Sequence, residues 1–154
     1  MAENFTIVCE NIGVTAVQDI LAAYAATTKK LRLLAIELAA NGQTTVGNYA
    51  LRLRYLPATV TPGSGGSAVS PHNVNPDGAA ASFTARRNDV TQATSSGAVT
   101  IVAMQFNPIN GYYWASPLPA PDEPKADLSG AFVLSLDSIA GTLGLSATVW
   151  LREE

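Results

Sequence analysis

Residues able to do chemistry are few in this sequence and poorly placed for it. Its one cysteine, Cys9, and its one histidine, His72, stand 63 positions apart. Metal centres and activated thiols draw on clusters of His, Cys and carboxylates, so neither is expected. Asp122-Glu123 offers a carboxylate pair for acid–base work, but neighbours along an extended chain point apart. Gly63-Ser-Gly-Gly-Ser67 has the glycines of a phosphate-cradling loop without its Gly-Lys-Ser/Thr ending, and it leads into a proline-rich segment instead of a helix. A Ser–His or Cys–His pairing would have to be assembled by the fold, since no nucleophile-elbow spacing is present. Only Tyr112-Tyr113-Trp114 suggests a ligand. Aromatic rings displayed on a β-sandwich can stack on sugars, and a carbohydrate-binding module is the alternative reading that follows. The expectation is a protein that binds, with no catalytic residue, cofactor or metal.

Composition points the same way. Hydrophobic residues make up 47% of the 154 and charged residues only 14%, against a usual charged fraction of about 25%. Much of the surface must then be Thr, Ser, Asn, Gln and Ala, which suits burial against partners. Twelve acids against nine bases give a net charge of −3, and the basic clusters are no larger than Lys29-Lys30 and Arg86-Arg87. No nucleic-acid footprint is expected from that. The N-terminus lacks the basic and apolar regions of a signal peptide, and no apolar run is long enough for a membrane helix. A soluble protein made in a cytosol is expected, with residues 1–154 forming one domain.

The elements that would position these residues read as strands. Phe5, Ile7 and Cys9 alternate with Thr6, Val8 and Glu10 up to a turn at Asn11-Ile-Gly13, which places Cys9 on an apolar face. Residues 15–24 are ambiguous: Val17, Ile20, Leu21 and Tyr24 have helical spacing, with Thr15 and Gln18 as a capping box. Residues 30–39 alternate in two phases, as a strand does with a bulge between Leu33 and Leu34. In Leu51-Arg-Leu-Arg-Tyr-Leu56 the arginines take the outward face, either solvated or paired with acids of a partner or a neighbouring strand. Ala98–Phe106 is apolar on both faces, as a central strand would be. Three adjacent aromatics at 112–114 cannot all point inward, so at least one meets a surface or interface. Pro117, Pro119, Pro121 and Pro124 make a stiff spacer, and two strands, 130–136 and 146–152, follow.

Between Pro57 and Asn88 lie 32 residues with four Gly, four Pro, four Ser, six Ala and only three charges, Asp77, Arg86 and Arg87. Structureless loops of this length are uncommon in compact domains, and the low charge argues against a solvated tail. The composition suits an extended arm that docks on a surface, with bends at Pro71, Pro76 and Asp77-Gly78 and an aromatic anchor at Phe83. Interface candidates are therefore Gly63, Gly65, Gly66, Pro71, His72, Pro76, Phe83, Arg86 and Arg87 in the arm, Tyr112, Tyr113 and Trp114 after it, and Pro119 and Pro121 in the spacer.

Val14-Thr-Ala-Val-Gln-Asp-Ile20, Lys30-Leu-Arg-Leu-Leu34, Leu51-Arg-Leu-Arg-Tyr55 followed by Gly63-Ser-Gly-Gly-Ser67, and Asn75-Pro-Asp-Gly-Ala-Ala-Ala-Ser-Phe-Thr84 together resemble a small virion protein of tailed bacteriophages. The resemblance spans most of the chain. The Ala-rich Ala22-Ala-Tyr-Ala-Ala26 and the Arg86-Arg87 pair depart from it. It implies an all-β, jelly-roll-like antiparallel β-sandwich, with strands through 14–40. It also implies a capsid decoration, or cement, protein that is commonly a homotrimer. Such a protein is made in the host cytoplasm and then bound on the capsid exterior over the phage major capsid protein, with no nucleic acid or membrane partner.

Overall fold

The computed structural model describes residues 2–42, 47–138 and 141–154. Its strands are β1 (Glu3–Val14), β2 (Gln18–Tyr24), β3 (Leu31–Ala40), β4 (Tyr49–Leu56), β5 (Ser67–Val69), β6 (His72–Asn73), β7 (Thr84–Asp89), β8 (Val99–Phe106), β9 (Tyr112–Ala115), β10 (Lys125–Ala126), β11 (Ala131–Leu136) and β12 (Leu143–Glu153). They form two six-stranded sheets. The first has the order β10-β3-β12-β1-β6, with β9 also beside β3, and the second has the order β5-β7-β2-β11-β4-β8. All pairings are antiparallel. The fold is thus the expected antiparallel β-sandwich.

Alternation explains the core. On β12, Leu143, Leu145, Ala147, Val149 and Leu151 are buried while the residues between them are half-exposed, the period of two of a strand with one covered face. Phe5, Ile7 and Cys9 of β1 and Leu33, Ile36 and Leu38 of β3 join them, and Leu51, Leu53, Phe132 and Leu134 belong to the same core cluster from the second sheet. Cys9 is fully buried, and burial pushes its thiol up to about 11 against the pull of Arg87. It packs as a small hydrophobe.

Among the described residues, four pairings carry a bulge that adjusts the register. Leu33 pairs with Leu151 and Ala35 with Trp150, which leaves Leu34 as the extra residue, the bulge expected from the phase change in the sequence. The first strand does not stop at Asn11. Glu10 and Asn11 together oppose Ser146, Asn11 takes a φ of 52°, and β1 continues to Val14. Asn11 N–H donates to the Ser146 hydroxyl at 3.3 Å, which satisfies a group the bulge removes from the ladder. Residues 18–24 form a strand, so the helical spacing of 15–24 has no counterpart. Ile20 is the extra residue opposite Leu134 and Ser135, and Val17, which a helix would bury, is exposed.

Two further expectations are corrected. Ala98–Phe106 is not a central strand, because among the described residues β8 pairs only with β4 and forms the edge of its sheet. Nor does 57–88 extend as an arm. Thr61 bridges Thr94 and Ser64 bridges Thr91, β6 adds to β1, and β5 adds to β7. Ala22, Leu56, Ala93, Ala131 and Val133 form a second apolar cluster with Tyr24 and Val60, on the face of the second sheet away from the main core. This cover explains why every residue of β11 is buried, although antiparallel sheets commonly leave one face to water.

Candidate functional site

The densest polar arrangement lies under that cover. Asp19, on β2, accepts hydrogen bonds from Arg54 Nη2 at 2.8 Å, from the Ser135 hydroxyl at 2.8 Å and from Ala93 N–H at 2.6 Å. Arg54 Nε donates in turn to Ser135 at 2.9 Å. Asp89 accepts two bonds from Arg86, at 2.9 and 2.7 Å, and one from Gly66 N–H at 3.0 Å. Gly63 N–H donates to the Tyr24 hydroxyl at 3.2 Å. Burial pushes the Asp19 carboxyl above its ordinary range despite these donors. Asp19, Asp89 and Ser135 are all buried. The oxygens are engaged by the chain itself, so this arrangement fastens the 57–66 stretch and does not present a reactive group.

The three loop glycines make the close approach possible. A Cβ on Gly66 would stand 2.0 Å from the Arg87 carbonyl oxygen, and one on Gly63 would stand 2.7 Å from that of Thr91. Gly65 has a φ of 90°, which L side chains rarely adopt. Phe83 anchors its segment to the chain's own core: it is 3% exposed and meets Phe5 edge to face at 5.4 Å. Glu153 accepts hydrogen bonds from Ser82 N–H and from the Ser82 hydroxyl. Arg86 is held by Asp89, and Arg87 Nε donates to Ser67 at 3.3 Å. Pro71 is half-buried, while His72 and Pro76 remain exposed near the edge of the first sheet.

The aromatic run divides across the sheet. Tyr112 and Trp114 are half-buried against the core, and Tyr113 is 65% exposed opposite Glu37. A shallow groove of about 400 Å³ runs beside it, lined by Glu37, Leu38, Pro108, Ile109, Tyr112 and Tyr113 among others.

The proline-rich segment is exposed at its crest and pinned at its base. Ser116 N–H donates to the Leu34 carbonyl at 2.9 Å, and Leu33 N–H donates to that of Pro124 at 3.0 Å. Arg32 reaches the carbonyl oxygens of Pro121 and Glu123. Arg152 Nη2 donates to both carboxylate oxygens of buried Glu123 at 2.8 Å. Asp122 faces solvent, so the two acids of the candidate pair part company as expected. Residues 117–122 are all exposed, including Pro119, Pro121 and Leu118, which is 50% exposed.

Among the described residues, no group of three or more His, Cys, Asp or Glu is placed to hold a metal ion. Sequence reasoning missed the Asp19 and Asp89 fastenings. The available signal was an acid inside the apolar run Gln18–Tyr24, since a charge there needs a partner. Comparison with known proteins finds no matching family model, no curated relative and no similar solved structure.

Proposed function

We propose that this chain is a structural protein of a tailed-phage head, a decoration protein that binds the outer surface of the capsid as an oligomer. The observation that carries this reading is the 117–122 crest. It is uncharged up to Asp122, carries three prolines and Leu118, is exposed throughout, and is fixed by Arg32, Arg152 and main-chain bonds. A crest already held in one shape loses little conformational entropy when it docks, and low charge is characteristic of contact cores. Exposed Ile109 and Tyr113 extend the apolar surface at the groove. The sequence resemblance supplies the partner, the major capsid protein, and an expected three-fold oligomer whose copies combine modest contacts through avidity.

The glycan reading has less behind it, because two of its three rings pack against the core. The test is to add purified protein to heads assembled without it and measure co-sedimentation and resistance of the heads to heating. Wild-type protein should saturate the heads and raise their rupture temperature, and Leu118→Asp should bind more weakly while keeping its fold. Heads that neither bind nor are stabilised by the wild-type protein would overturn the proposal.

A further inference from the structure

Edges of β-sheets carry unpaired main-chain groups and are usually blunted by shortness, charge, proline or bulges. In this sandwich β5 has three residues, β6 and β10 two each and β9 four. Beyond Thr6, where β6 stops, β1 carries Glu10 and the bulge at Asn11. β8 is different. It has eight residues, no charge and no proline, and among the described residues it pairs only with β4. Its bulge falls at Ile101, because Val102 pairs with Leu53 and Thr100 with Arg54. Val102–Phe106 is left as a regular ladder with one side open.

Side chains on this run match the open edge. Val102 and Met104 lie opposite Leu53 and Leu51 and are only half-buried, although those partners are fully buried. Ala103 and Gln105 point the other way and are exposed. Arg52, the charge beside Ala103 on β4, is already paired with Asp137. A strand laid against this edge would therefore meet neither net charge nor bulk on the outer face and would cover apolar surface on the inner one.

We propose that the occupant is a second copy of the same strand. The two β8 strands run antiparallel about a two-fold axis through Met104 and join the second sheets of two molecules into one. An antiparallel pair keeps faces matched only when the register sum is even, and this register alone pairs the whole regular run with itself. Val102 then opposes Phe106 and Met104 opposes Met104 on the inner face, while Ala103 opposes Gln105 on the outer. With no charge in the run, identical strands have no like charges to oppose. The contact is two-fold, so it leaves any three-fold contact of the proposed oligomer free, and it stands whether or not the chain binds a capsid.

The test uses the full chain. Directly opposed residues of an antiparallel pair have Cα atoms about 4.5–5.5 Å apart, within reach of a disulfide. Native Cys9 is buried and serves as a silent background. Under mild oxidation a mixture of A103C and Q105C proteins should give a reducible dimer, and either variant alone should give far less. In sedimentation the wild type should contain an even number of chains. The double variant A103K/Q105K places lysines opposite lysines at exposed positions and should halve that mass without changing the thermal unfolding of the single molecule. A wild type with a single chain or an odd number, a double variant of unchanged mass, or a mixture that crosslinks no better than its components would each overturn the pairing.

Discussion

The 57–66 and 116–124 stretches are both built from residues that interrupt strands, and the fold uses them in opposite ways. The first, with glycines at 63, 65 and 66, is drawn onto the second sheet by buried carboxylates and by main-chain bridges to Thr91 and Thr94. The second, with its four prolines, is exposed from Pro117 to Asp122 and is tied to the sheet at Ser116 and from Pro121 onward. Glycine supplies the close approach of one backbone to another, whereas proline supplies stiffness in a segment with nothing packed over it. Flexible composition therefore marks the inner layer here, and stiff composition marks the outer one.

If 57–88 belongs to the folded body, breaking its anchors must destabilise the whole molecule. Phe83→Ala removes a buried ring from the face of Phe5 and should cost about 3–5 kcal/mol, read as a lower midpoint in denaturant with a single transition. A loss confined to local mobility would mean that the segment is an appendage after all. Asp19→Ala should follow at about 3 kcal/mol, since it leaves the Arg54 guanidinium and Ala93 N–H without their acceptor. The figure sits low in the usual range because Arg54 keeps some access to water.

Glu153→Gln should cost less, about 1–2 kcal/mol at neutral pH, and the cost should depend on pH. Burial alone would raise the Glu153 carboxyl, but the Lys29 ammonium and the two Ser82 donors hold it below its ordinary 4.5. Its folded value lies below its unfolded one, so its contribution is complete above pH 4.5 and disappears as pH falls through the depressed value. Wild type and variant should therefore converge in acid when unfolding is followed at several pH values. A gap that stays constant down to pH 3 would remove the charge from the explanation. Leu118→Ser on the proline crest is the smallest of the set, a change within about 0.5 kcal/mol. A larger loss would show that the crest is packed and that the contrast between the two stretches is false.

Much of the architecture could be read from the residues. The phase change across Leu33-Leu34 revealed a bulge because side-chain direction alternates strictly along a strand, so one extra residue inverts the apolar face. Residues 98–106 were legible as a strand but not as an edge, since an apolar run has the same local pattern whether a neighbour covers it or not. The arm was misjudged for a related reason. Nothing near Gly63 indicates that Tyr24 lies beneath it, and Phe83 reads as an anchor without saying to what. The split of Tyr112-Tyr113-Trp114 across a sheet was legible from alternation, but which rings would face inward depended on the register with β3.

The pairing of β1 with β12 has a consequence for how the chain acquires its structure. Glu3 lies opposite Glu153, and β12 sits between β1 and β3 inside its sheet. The first sheet therefore lacks an interior strand until nearly all of the described chain has been synthesised. Closing so long a loop is entropically unfavourable before any contact compensates it, and folds dominated by such distant pairings are slow, with half-lives of milliseconds to seconds. Until β12 arrives, β1 and β3 each lack their principal neighbour. A growing chain would thus carry unpaired apolar strands throughout its synthesis, a state open to capture by chaperones and to mispairing with other copies.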